Sequence, residues 1–168
     1  NVLIKFEQFW FAPLPAKRLA ILRIITGLFS LWYLLSSYNM LMKLPETDAS
    51  MYEPVGLMYF FPEPFSKQVF FILLLTTITL NIIYILGWKF RVIGPLFAIV
   101  LLLFFCYRNS WSMIYHNYIA LVLHVMIIGF TAAADALSLD ASNSKKQQSA
   151  LTGWQYGWPV KLICLATG

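Results

Sequence analysis

Residues 111–140 read WSMIYHNYIALVLHVMIIGFTAAADALSLD, a polar aromatic cluster that runs straight into a long apolar segment. That apolar segment still carries His124, Thr131 and Asp135. An ionisable side chain in hydrocarbon is costly unless it faces protein or water. The stretch therefore predicts a membrane protein in which one spanning helix lines a polar interior.

The composition of the whole chain also indicates an integral membrane protein. Of the 168 residues, 60% are hydrophobic and only 11% are charged, whereas soluble domains carry about 25% charged residues. A soluble protein of this composition would have too little polar surface to cover itself. The net charge of +5 comes from cations at the ends of apolar runs, which is typical of membrane spans. We therefore expect the lipid bilayer, and not nucleic acid, as a partner.

Apolar runs of about 20 residues predict the spanning helices. The predicted spans are 17–38, 68–86, 92–107 and 113–137, and a fifth begins near Trp158 and Pro159. The loop 39–67 contains four prolines, which exclude one long helix, and its aromatic residues suit the membrane interface. Residues 138–155 are polar and predict a loop or a short surface helix. The fold class is therefore all-α, a multi-pass transmembrane helix bundle with four spans and the start of a fifth.

The organisation expected from this pattern is a single transmembrane domain over residues 1–168. The chain starts without an initiator Met or a signal-peptide pattern and stops inside an apolar run. We therefore expect a fragment that is truncated at both ends.

Lys and Arg residues outside the spans predict the orientation, because they concentrate in cytoplasmic loops. Three lie on the side opposite the N-terminus: Lys43, Lys67 and Arg108. Seven lie on the N-terminal side: Lys5, Lys17, Arg18, Lys89, Arg91, Lys145 and Lys146. We therefore expect a cytoplasmic N-terminus, in a cytoplasmic or inner membrane.

A polar seam is predicted along the fourth span. On an ideal helix, Asn117, His124 and Asp135 return to within about 20° of one face, and Thr131 falls on the edge of the same stripe. One interpretation is a cavity wall that holds a substrate, a cofactor or a proton path. The other is interhelical hydrogen bonding that only fixes the packing of the helices, a role that suits His124 better than catalysis does.

His116 begins this helix, eight residues before His124, which is about 12 Å along the axis. Two histidines at that separation cannot share one metal ion on an unbroken helix, so we expect no metal site. His116 suits hydrogen bonding or proton transfer at the mouth of a cavity. It equally suits an aromatic belt at the membrane interface.

Arg23 is the charged residue near the start of the first span. Three roles are open for it. The side chain can snorkel to the cytoplasmic surface, pair with an acid that faces inward, or line the cavity and bind an anionic head group.

Several short motifs carry a family resemblance. They are RIITG (23–27), EPVGL (53–57), GWKFR (87–91), YHNYI (115–119), SLD (138–140) and WQYGWPVKLI (154–163). In order and spacing, over nearly the whole chain, they resemble the transmembrane domain of vitamin K-dependent gamma-carboxylase and its bacterial relatives, the horizontally transferred transmembrane (HTTM) family.

The resemblance implies a helix bundle with a lipid-accessible cavity. In the carboxylases, a reduced quinone reacts with oxygen and makes a strong base, which removes a proton from a protein-bound glutamate that then takes up carbon dioxide. A histidine beside an asparagine supports this chemistry, and His116 and Asn117 match those positions. The implied cofactor is reduced vitamin K or another quinone. The family's enzymatic lysine lies in a later Tyr-x-x-x-Gly-x-Lys segment that these residues do not contain, and Lys161 is not its counterpart.

Three functions follow from the residues and the resemblance together. The first is an enzyme that acts on a lipid-soluble, quinone-type cofactor. The second is a transporter or binder of a lipid-soluble small molecule. The third is a non-catalytic scaffold in which the polar residues only lock the helices.

Overall fold

Helices make up most of the computed structural model, which describes residues 7–111, 116–143 and 151–167. The side chains of His116, Asn117 and Asn143 lie outside this description. The α-helices are α1 (Ala16–Ser36), α2 (Tyr38–Leu41), α3 (Lys67–Leu86), α4 (Phe90–Asn109), α5 (His116–Gly129), α6 (Leu139–Asn143) and α7 (Trp154–Thr167). Strands β1 (Leu14–Pro15) and β2 (Thr152–Gly153) form one antiparallel pair.

Three of these helices, α1, α3 and α4, are long and apolar enough to cross a membrane. At 1.5 Å per residue, 20 residues extend about 30 Å, the thickness of the hydrocarbon core. Each helix begins and ends within two residues of its predicted bounds. Large apolar side chains such as Trp32 and Ile72 are exposed on their outer faces, as lipid contact requires. The predicted all-α bundle is confirmed.

The fourth predicted span is wrong at its C-terminal end. Helix α5 ends at Gly129, and residues 130–138 form turns and bends instead of two more helical turns. Thr131 donates its hydroxyl hydrogen to the Ile128 carbonyl at 2.7 Å, so its side chain competes with the helical backbone. Leu137 adopts a left-handed φ of 49°. Hydrophobic periodicity predicts neither the Thr131 hydrogen bond nor the left-handed Leu137, because both depend on the local backbone conformation.

The predicted start of the last helix is also wrong. Helix α7 begins at Trp154, so Pro159 lies inside the helix and not in its first turn. The strand pair explains the earlier start. Leu14 pairs with Gly153 and Pro15 with Thr152, and this pairing fixes the chain immediately before α7.

The proline-rich loop contains α2 and three short 3-10 helices, Leu44–Glu46, Ala49–Met51 and Gly56–Phe60, so no long helix forms there, as predicted. It docks on the C-terminal end of α4. The Ser110 carbonyl accepts from the Glu53 N–H at 2.8 Å, and the Ser110 hydroxyl accepts from the Val55 N–H at 3.0 Å. At the surface, Lys67 donates to Glu46 and thereby holds the pKa of the Glu46 carboxyl below its usual value.

Helices α4 and α5 pack backbone to backbone at Gly94 and Gly129. A Cβ atom added to Gly94 would lie 2.5 Å from the Gly129 carbonyl oxygen. In a membrane, small residues of this kind let helices approach closely and gain dispersion energy.

Gly94→Ala is expected to lower the free energy of unfolding by about 1–3 kcal/mol, the usual cost of overpacking, because backbone atoms cannot move aside for the new methyl group. Chemical denaturation in detergent micelles measures the change. Gly153→Ala is the matched control, since its new Cβ meets only the mobile end of the Gln155 side chain. Equal stability of both variants would contradict a tight α4–α5 crossing.

Candidate functional site

Arg23 is completely buried, with 0% of its surface exposed. Its guanidinium donates to the carbonyl oxygen of Ala133 at 3.0 Å and to that of Leu137. The guanidinium carbon lies 5.6 Å from the centre of the Phe90 ring. The hydrogen-bond partners that the structure gives Arg23 are therefore backbone carbonyls of the irregular segment 130–138.

The turn between α3 and α4 fits around this guanidinium. Gly87 ends α3 with a left-handed φ of 66°, the usual glycine C-cap. A Cβ on Gly87 would lie 2.6 Å from an Nη atom of Arg23, so a larger residue would displace the arginine.

Asp140 caps the start of α4 from a distant part of the chain. Its two carboxylate oxygens accept from the N–H groups of Lys89 and Phe90, each at 2.8 Å. A negative charge at a helix N-terminus pairs with unsatisfied N–H groups and with the helix dipole. The RIITG, GWKFR and SLD motifs therefore meet at one place, which the sequence shows only as three separate segments.

A cavity of about 900 Å³ lies beside this junction, between the start of α4, the segment 130–135 and the start of α7. Its polar lining residues are Lys89, Arg91, Thr131, Asp135, Asp140, Gln155 and Tyr156. The side chains of Val92 and Phe130 also line the cavity and are 67% and 61% exposed. One edge of the cavity is therefore an exposed apolar rim.

The central polar contact of the cavity joins Tyr156 and Asp135. Tyr156 is 2% exposed, and its hydroxyl donates to Oδ2 of Asp135 at 2.7 Å. An ionised carboxylate only accepts hydrogen bonds, and a tyrosine hydroxyl that already donates its hydrogen can only accept a further bond. This pair therefore presents acceptors to anything that enters the cavity, while the exposed cations Lys89 and Arg91 supply positive charge at its mouth.

The sequence-predicted residues divide into two groups. Thr131 and Asp135 line the cavity, whereas His124 and Arg23 do not. One ring nitrogen of His124 pairs with the Ala120 carbonyl of its own helix, and the other lies 3.3 Å from the Thr167 hydroxyl of α7. These contacts are those of a residue that packs two helices together.

His116 and Asn117 begin α5, and their side chains lie outside the described residues. Their backbone lies 13 and 12 residues before Gly129, or about 20 Å along the helix, so the length of α5 separates them from the cavity. Their catalytic roles stay predictions. Within the described ranges, no three His, Cys, Asp or Glu residues lie close enough to hold a metal ion.

Sequence reasoning missed Tyr156, the capping role of Asp140, and Asn81. Asn81 is fully buried. With its amide nitrogen toward the Gly27 carbonyl, it donates there at 3.1 Å and accepts from the Leu31 N–H at 2.9 Å, two groups that an α-helix pairs with each other. The sequence signal that could have identified Asn81 is a single amide side chain within an apolar span, because such residues hydrogen-bond across helices.

Asp140→Ala is expected to lower the free energy of unfolding by about 1–2 kcal/mol, because two N–H groups at the start of α4 lose their capping acceptors. Chemical denaturation in micelles measures this loss. Ser142→Ala, an exposed position on α6, serves as the control and is expected to change little. A loss no larger than the control's would contradict the cap.

One comparison with known proteins covers nearly the whole chain. The family model described as HTTM domain matches residues 11–165. No curated protein and no solved structure matches the chain. The matched range contains α1, α3, α4 and α5 and every polar residue that lines the cavity.

Proposed function

Because the chain belongs to the HTTM family of membrane proteins, we propose that its cavity binds a lipid-soluble small molecule of the quinone class in the reduced, hydroquinone form. The observation that carries this proposal is the Asp135–Tyr156 pair, an arrangement of hydrogen-bond acceptors in a cavity with an exposed apolar rim.

The hydrogen-bonding chemistry of the two redox forms differs. A hydroquinone carries hydroxyl groups that donate, whereas the oxidised quinone carries only carbonyl acceptors. Asp135 and Tyr156 both offer hydrogen-bond acceptors, so they favour a ligand that donates, which is the hydroquinone. The carbonyl oxygen of the oxidised quinone would instead face the lone pairs of these acceptors with no hydrogen between them. Selectivity of this kind combines an attraction to one ligand with a repulsion of its competitor.

The size and lining of the cavity support the same ligand class. Small-molecule pockets occupy about 300–1,000 Å³ and are mostly apolar with a few placed polar groups. The cavity lies within that range. Its apolar lining includes Phe90, Pro95 and Ala134, and the exposed side chains of Val92 and Phe130 would let an isoprenoid tail extend into the bilayer.

We also propose that the N-terminus lies in the cytoplasm of a bacterium, which places the cavity at the cytoplasmic face of the inner membrane. The cations Lys17, Arg18, Lys89 and Arg91 support this orientation, because they flank the cavity end of α1 and α4 and positive residues concentrate in cytoplasmic segments.

The test is a binding titration with the protein in nanodiscs. The probe is a naphthoquinone with one isoprenoid unit, added in its reduced or its oxidised form, and tryptophan fluorescence reports occupancy. We expect saturable binding with about tenfold preference for the reduced form, since one hydrogen bond to a charged acceptor contributes about 1.5–3 kcal/mol.

Asp135→Asn is the informative variant, because an amide can both donate and accept. It is expected to narrow the preference for the reduced form to about twofold or less. Asp48→Asn, in the exposed loop between α2 and α3, is the matched control and should behave as the wild type. Absence of saturable binding would contradict the proposal and favour the scaffold role. Saturable binding with an unchanged preference in Asp135→Asn would contradict the role given to the Asp135–Tyr156 pair.

A further inference from the structure

The two carbonyl groups that Arg23 binds lie symmetrically around Asp135. Ala133 is two residues before Asp135 and Leu137 is two residues after it. The guanidinium therefore holds both ends of a short arc of irregular backbone, and Asp135 lies midway along it. From there its carboxylate reaches Tyr156 and lines the cavity.

This arc needs a hydrogen-bond donor. A carbonyl group that is buried away from water without a hydrogen-bond partner is unfavourable, so non-helical backbone is stable there only where another group satisfies it. Segment 130–138 leaves the helix after Gly129, and Leu137 adopts a left-handed conformation that is unfavourable for a residue with a branched side chain. Arg23 supplies donors to two of the carbonyls in this segment.

From this geometry we propose that Arg23 is a positioning residue, which sets the direction of the Asp135 carboxylate by binding the backbone on both sides of it. The placement of Asp135 by Arg23 is independent of the proposed function. The consequence, that Arg23 controls ligand affinity without touching the ligand, rests on the proposed function.

Arginine is suited to this role in a way that lysine is not. Its planar guanidinium carries five N–H donors in a fixed fork and can bind two separate carbonyls at once. The ring of Phe90 lies beside it, and the absence of a side chain at Gly87 makes room for it. A lysine ammonium is a point donor on a flexible stem, so Arg23→Lys should retain one of the two contacts and hold Asp135 partly in place.

The first experiment needs no ligand. Dicyclohexylcarbodiimide, a lipid-soluble reagent that forms adducts with accessible carboxyl groups, is applied to the protein in nanodiscs, and mass spectrometry measures the adduct on Asp135. Tyr156→Phe, which removes the hydrogen-bond donor to Asp135, gives the reference level for a released carboxylate. Asp135 is already exposed in the wild type, so the label reports the loss of its hydrogen bond with Tyr156 and not a change in burial. We expect Arg23→Gln to reach the level of Tyr156→Phe, several-fold above the wild type, and Arg23→Lys to lie between them.

Arg18→Gln is the matched control, because it removes the same side chain from an exposed position of the same helix, and it should label as the wild type does. Only protein that elutes as a folded species in gel filtration is compared. Wild-type labelling of Asp135 in folded Arg23→Gln overturns the proposal. If Arg23→Gln does not fold, Arg23→Lys decides the question by the same criterion.

The second experiment tests whether Arg23 acts on binding through Asp135. Affinity for the reduced naphthoquinone probe is measured for Arg23→Gln in the wild-type background and in the Asp135→Asn background. We expect a loss of about tenfold in the first and less than twofold in the second, because coupled residues are non-additive. Equal losses in both backgrounds would show that Arg23 does not act through Asp135.

The two experiments test different steps, so a negative result in one does not decide the other. If the wild type does not bind the probe, the proposed function is wrong, while the carbodiimide result still decides whether Arg23 places Asp135. If the probe binds and Asp135 labelling does not respond to Arg23, the proposed function stands and the positioning role is wrong.

Discussion

A buried guanidinium in a spanning helix imposes the constraint on which the cavity end of this protein depends. A charged side chain within the bilayer is costly unless protein groups surround it, and Arg23 is fully buried. Its acceptors are two backbone carbonyls of segment 130–138, which are available because the helical hydrogen-bond pattern has ended at Gly129. The arginine and the broken helix therefore stabilise each other: the charge requires free carbonyls, and the free carbonyls require a donor. Neither feature would be favourable in the membrane alone.

The cavity follows from that break. A helix continued from α5 to Leu137 would place its side chains on a regular cylinder, and Asp135 would lie some 16 Å further along its axis than His124. The turns of 130–138 instead leave space between α4 and α7 and place Asp135 opposite Tyr156. The Asp140 cap and the Gly87 turn fix the neighbouring end of α4. The pattern of acceptors in the cavity is thus a consequence of backbone geometry as much as of side-chain identity.

The rest of the bundle is held by close contacts and by a few interhelical polar groups. Lipid tails are as apolar as leucine, so helix association in a membrane relies on dispersion contacts and hydrogen bonds. The Gly94–Gly129 crossing supplies a close backbone approach between α4 and α5, and Asn81 bonds to two backbone groups of α1. His124 belongs to this set through its contact with Thr167. The polar seam that the sequence suggests therefore divides into helix-packing residues and cavity residues.

The sequence by itself determined the class of protein, the bounds of three spanning helices, and the family. Hydrophobic length, scarce charge and motif order are local properties, and they can be read without knowing which segments meet. It also indicated that Thr131 and Asp135 lie at polar positions of an apolar region, although it placed them on a helix that does not extend so far. Only the tertiary structure decided that Arg23 binds carbonyls, that Asp140 caps α4, and that Tyr156 meets Asp135. The partners in these contacts are separated by more than 20 residues along the chain, and their energies depend on distance and burial. The sequence pattern alone contains neither the distances between these groups nor their burial.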